Sequence, residues 1–213
     1  MRTRQIPSDL FRKRGVFFGT CFKMAIEFSR GAYTAAQAAH AALWRHELLH
    51  GPFESSEADP RTAPVIDLLG AHRPRLVHGA GLLPRKKVIP CTTAVYEQES
   101  EGQDGPSLCM WINSGALQYV YDIDPWPIDD GREHEWILEL SEWFREIAQA
   151  VFDAVPFQGA LIGCAACMDG MPRTPGQLPV PRWSGHLLPD GAQLLWFPPE
   201  VLVAPLSFEP QTY

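Results

Sequence analysis

His46 and His50 stand four residues apart with Glu47 between them, so residues 46–50 read H-E-x-x-H. On a helix, imidazoles at i and i+4 share one face and can grip a single zinc ion, and the glutamate is placed to activate a zinc-bound water as general base. At about 100° per residue, a helix over 34–50 puts His46 and His50 on the arc of Ala35, Ala39, Ala42 and Leu43. That arc is apolar, so both rings are expected to point inward. A zinc site needs a further protein ligand, and none follows at familiar spacing. Residues 50–56 lack the glycine and third histidine that follow such a motif, Glu54 and Glu57 fall in a loop, and Glu142 and Glu146 point away from the apolar face of their own helix.

The remaining chemical patterns are weaker. Cys164-Ala165-Ala166-Cys167 is a single C-x-x-C, without the second pair of a structural zinc site and without the following helix that would lower a thiol pKa. It reads as small buried thiols closing a core strand. Asp122-Ile123-Asp124 runs into Pro125-Trp126-Pro127, which suits a turn and a helix cap better than a phosphatase nucleophile. No Walker loop, nucleophile elbow or dinucleotide fingerprint occurs. Trp126 between prolines and Trp183 in a proline-rich loop are candidate partner-binding residues, since loop tryptophans are enriched where two surfaces meet.

Composition bounds the function. The chain has 213 residues, 46% of them hydrophobic, enough for one sizeable core. A net charge of −7 argues against general nucleic-acid affinity and suits a basic partner. No stretch approaches the ~20 apolar residues of a membrane span, and no secretory h-region opens the chain. Five irregularly spaced cysteines do not form a disulfide framework, which places the expectation in the reducing cytoplasm.

The elements that must position these residues follow from periodicity. Residues 1–14 read as a basic N-terminal tail and 15–213 as a single domain with a proline-rich C-terminal portion. Phe22, Met24, Ile26 and Phe28 alternate with Lys23, Ala25, Glu27 and Ser29, predicting a strand with one buried and one wet face. A helix over 34–50, capped by Thr34, is expected to stop at Gly51-Pro52, and 64–69 to form one helical turn. Strands are expected at 76–77, at 88–96 and at 108–121, the last two as a hairpin, with Gly115 marking a bulge or break. A second helix over 131–154, capped by Asp129 or Asp130, carries Trp136, Leu140, Trp143, Ile147, Ala150 and Val151 on its apolar face. Strands at 157–167 and 192–197 complete an α+β fold: a mainly antiparallel sheet with two principal helices on one face, in the manner of a decorated ferredoxin-like βαββαβ unit.

Two resemblances attach to these residues. His46-Glu47-Leu48-Leu49-His50, preceded by Leu43 and Trp44, is similar to the motif of zincin metallopeptidases. That likeness implies a zinc hydrolase with His46 and His50 as ligands and Glu47 as base. The strand and helix at 16–50, the acidic helix at 135–151 leading into 156–163, and Gly185-His186-Leu187-Leu188-Pro189 together resemble immunity proteins of bacterial polymorphic-toxin and type VI secretion systems. This second likeness implies a cytoplasmic α+β protein without catalysis or cofactor that occludes a toxin. A metal held between His46 and His50 would separate the two readings.

Overall fold

In a computed structural model, described for residues 6–7, 9–69, 76–84, 87–97, 105–121, 123, 133–164 and 171–202, the chain builds one eight-stranded antiparallel sheet. The elements in order are β1 (Cys21–Glu27), α1 (Tyr33–Leu43), β2 (Leu49–Phe53), β3 (Leu76–Leu82), β4 (Val88–Tyr96), β5 (Ser107–Asn113), α2 (Ser114–Tyr121), α3 (Glu135–Ala154), β6 (Gly159–Gly163), β7 (Gly185–Asp190) and β8 (Gln193–Phe197). The strands lie in the order β2-β3-β4-β5-β1-β6-β7-β8. Within it, β4-β5-β1-β6 joined through α1 and α3 has the strand order and connectivity of a split βαββαβ unit. The β2–β3 hairpin extends one edge of that unit and the β7–β8 hairpin the other.

One face of the sheet carries the main core. Phe22, Met24 and Ile26 of β1 meet Leu108, Met110 and Ile112 of β5 and Ile162 of β6 beneath α1 and α3. Helix α3 contributes Trp136, Leu140, Trp143, Ile147 and Val151, as its periodicity predicts, together with Ile137, Phe144, Ala148 and Phe152. Ala150 is exposed instead, because the buried stripe is wide enough without it. His134 precedes the first residue of α3; the expected caps Asp129 and Asp130 lie outside the described residues. Helix α1 is rich in alanine, the best helix former, and fully buried Ala36 and Ala39 let it lie close to the sheet.

Several expectations give way to tertiary pairing. Thr34 lies inside α1 rather than capping it. Residues 64–69 form no helix. The strand expected at 108–121 ends at Asn113 and gives way to α2, which includes Gly115: Ser114 and Gly115 donate their N–H groups to the carbonyls of Thr20 and Phe18, which satisfies donors at the helix start. A Cβ on Gly115 would fall 1.8 Å from the Gly15 carbonyl, so only glycine fits beneath the N-terminal segment. That segment, including Leu10 and Phe11, packs on Phe53 and Ala80, so it is not a loose tail from residue 9 onward. The second face of β1 is not wet either. Ala25 and Glu27 are buried, with Ala25 packed among Cys109, Leu161 and Met171. Among the described residues no helix is long and apolar enough to cross a membrane.

Candidate functional site

The H-E-x-x-H residues do not share a helix face. Helix α1 ends at Leu43, and the next residues turn through i→i+3 bonds from Arg45 to Ala42, His46 to Leu43 and Leu49 to His46. His46 therefore sits in a turn, Glu47 is exposed, and His50 lies in β2 opposite Ala80. The reason is tertiary. The indole of Trp44 lies across Gly79, where a Cβ would come within 2.2 Å of the ring, while Leu48 and Leu49 are drawn into pairing with β3. Sheet formation outcompetes a modest local helical preference, and Gly51-Pro52 becomes part of a strand rather than a helix stop. Each imidazole also spends a nitrogen on backbone. His46 Nδ1 accepts from Leu48 N–H at 3.2 Å, and His50 Nε2 donates to the Pro60 carbonyl at 2.7 Å. Among the described residues no group of three or more His, Cys, Asp or Glu is placed to hold a metal. The inward-facing pair that the helix projection requires is absent, and with it the geometric support for Glu47 as a base.

Other titratable groups are set by burial. Desolvation pushes the Cys164 thiol up to about 12, with the neighbouring Cys21 adding to the shift, and the Cys109 thiol up to about 11. A thiol so protonated is a poor nucleophile at neutral pH, although Cys164 is half-buried rather than buried as expected; its motif partner Cys167 lies outside the described residues. His40 on α1 is buried against Thr93 of β4 and Trp44, and desolvation lowers its pKa to about 4. His186 on β7 is lowered to about 4 by burial and by the Arg182 charge, and neither ring nitrogen has a hydrogen-bond partner among the described residues.

The segment from Met171 to Ser184 differs in kind, because it is fastened at both ends and exposed between them. Met171 is buried beside Gly159, and Arg173 Nη1 lies 2.8 Å from the carboxylate of Glu27, itself only 2% exposed. Gln177 Oε1 accepts the N–H groups of Arg173 and Thr174, closing a short 3-10 turn at Pro175–Gln177. At the far end Arg182 is tied to the chain after β8. Its backbone N–H donates to Glu200 at 3.1 Å, its Nε donates to the Pro198 carbonyl at 3.1 Å, and its own carbonyl accepts from Glu200 and Val201. Ser184 is buried again.

Between these anchors Val180 is 86% and Trp183 49% exposed. Two apolar side chains thus face water on a loop whose backbone is stiffened by Pro175, Pro179 and Pro181. Such a loop has little freedom left to lose on association, so apolar surface it buries converts more fully into affinity. The sequence singled out Trp183, and the structure places it at this corner; Trp126 lies outside the described residues. Val180 went unnoticed, since a lone valine between prolines carries no signal until its exposure is known. Compared with known proteins, the chain matches no family model, no curated protein and no solved structure.

Proposed function

We propose that the chain is a non-catalytic, cytoplasmic protein-binding module that docks a protein partner through the corner formed by Val180 and Trp183. The observation that carries this reading is the pairing of those exposed side chains with a backbone locked by Arg182 to Pro198, Glu200 and Val201. Tryptophan is enriched among the residues that dominate binding energy, and a rigid loop presents it at low entropic cost. The net charge of −7 favours a partner with a basic surface. The resemblance to immunity proteins supplies the specific form of the proposal: the partner is a toxin, and docking occludes its working surface.

The test is comparative capture from the native host. The wild-type chain and a Trp183→Ser variant of equal melting temperature are immobilised side by side. The expected result is a stoichiometric partner on the wild type whose affinity falls on the order of 30-fold in the variant, as for loss of a ~2 kcal/mol hot spot. Equal capture by the two proteins, or none by either, overturns the reading. Where the partner is an enzyme, one equivalent of wild-type chain is expected to bring its turnover to background.

A further inference from the structure

The two edges of the sheet are built differently. The β2 edge is blunted: its register shifts between His50 and Phe53, Pro52 lacks an N–H, the Pro52 carbonyl is taken by Ile66 N–H, and His50 Nε2 is bonded to Pro60. Natural edge strands use bulges, prolines and covering loops of this kind to avoid unwanted pairing. Strand β8 shows none of these devices. Gln193-Leu194-Leu195-Trp196-Phe197 pairs with β7 in unbroken register from Asp190↔Gln193 to His186↔Phe197, contains no charge, proline or glycine, and keeps every residue at least partly accessible. Among the described residues nothing pairs with its outer side. Alternate residues of an antiparallel edge turn their N–H and C=O outward, so β8 offers a ready template for one more strand.

Charge specifies what would pair there. Trp196 Nε1 donates to Glu142 of α3 at 2.7 Å, so the exposed face of α3 stands beside β8 on the helix side of the sheet. At about 100° per residue, Glu135, Glu142, Glu146 and Asp153 fall on one arc of that helix; Arg145, the single cation of α3, flanks the arc and pairs with Glu142 Oε2 at 2.6 Å. An added strand would place alternate side chains beside Leu194 and Trp196, on the side of Glu142, and the others beside Leu195 and Phe197. Lysine or arginine suits the first set, its stem lying on apolar surface and its charge reaching the acids, and a β-branched residue suits the second.

We propose that β8 is a docking edge for an extended basic segment of a protein partner, alternating basic and apolar residues, which joins the sheet antiparallel to β8. This rests on the reading of the chain as a protein-binding module and adds to it the conformation and charge of the segment recognised.

The probe is an acetylated, amidated peptide of alternating lysine and valine, eight residues long, added to the full chain while amide hydrogen exchange is followed. The expected result is saturable binding that slows exchange of β8 amides at least 10-fold. A peptide with glutamate for lysine binds at least 10-fold more weakly, and one N-methylated at alternate residues does not bind. A Glu142→Gln/Glu146→Gln variant weakens the lysine peptide several-fold. Equal binding by the N-methylated peptide, unchanged β8 exchange at saturation, or β8 amides already protected in a concentration-dependent dimer overturns the inference. A Trp183→Ser variant is expected to bind the peptide as the wild type does. Loss of peptide protection with host capture intact therefore sinks the edge inference alone, whereas protection without host capture supports the edge and sinks only the loop reading.

Discussion

His40 Nε2 of α1 lies 2.7 Å from Thr93 Oγ1 of β4, and the indole N–H of Trp44 reaches the same hydroxyl at 3.0 Å. All three side chains are buried. The indole N–H also approaches His40 Nε2 at 3.3 Å, so the consistent assignment makes Nε2 an acceptor of the threonine proton and leaves the imidazole neutral. The cluster pins the last turn of α1 to the centre of β4. Thr93→Val removes the hydroxyl at constant shape, loses the two shorter bonds of the cluster and leaves the indole N–H only its 3.3 Å approach to His40 Nε2. The expected cost is about 1–3 kcal/mol of unfolding free energy, read from urea denaturation at neutral pH.

The buried histidines give stability a definite pH dependence. His40 and His186 each have a folded-state pKa near 4 against an ordinary 6.5, so between these values the unfolded chain binds more protons than the folded one. Their contribution to stability is full above pH 6.5 and is lost as pH falls toward 4, up to ~3 kcal/mol for His40 and less for His186, where solvent screens part of the effect. His186→Leu, which removes an imidazole without hydrogen-bond partners among the described residues, is expected to leave stability at pH 7 equal or higher and to flatten the decline between pH 6.5 and 4.5. A variant that loses stability at pH 7 and keeps the full slope contradicts this account.

Gly79 fits beneath Trp44 only because it has no side chain. A Cβ there would meet the Trp44 ring at 2.2 Å and the His50 carbonyl at 2.7 Å, backbone on one side and a buried indole on the other. Gly79→Ala is therefore expected to destabilise by about 1–3 kcal/mol through overpacking, with the loss visible as a lower melting temperature. Gly176→Ala serves as the control, since a Cβ at that position meets nothing within 4 Å.

Zinc supplies the remaining test of H-E-x-x-H. With His46 in a turn and His50 donating to Pro60, neither dialysis against a chelator nor an equivalent of zinc is expected to move the melting temperature. Glu47→Gln, at an exposed position, should be silent in the same assay. A rise of several degrees with zinc, abolished by His46→Ala, would restore the hydrolase reading.

Elements whose pattern is long and local were legible in the chain. The alternation of Phe22, Met24 and Ile26 and the stripe of Trp136, Leu140, Trp143, Ile147 and Val151 correspond to β1 and α3, because one strand or helix face must be apolar whatever it packs against. The α+β class and the antiparallel sheet follow from those periods. Short elements were not legible. Strand β2 lay hidden in a helical-looking run, and β7 in a segment read as proline-rich tail, since five or six residues carry too little pattern to outweigh their neighbours.

The candidate site divides along the same line. Trp183 could be singled out from its residue type and its proline-rich surroundings alone. Its exposure, the clasp of Arg182 on Glu200, and the open edge of β8 depend on segments brought together by pairing, which no local spacing encodes. The same is true in the negative for His46 and His50. Their spacing matters chemically only on a continuous helix, and contacts of Trp44 with Thr93 and Gly79, more than thirty residues away in the chain, ended that helix first.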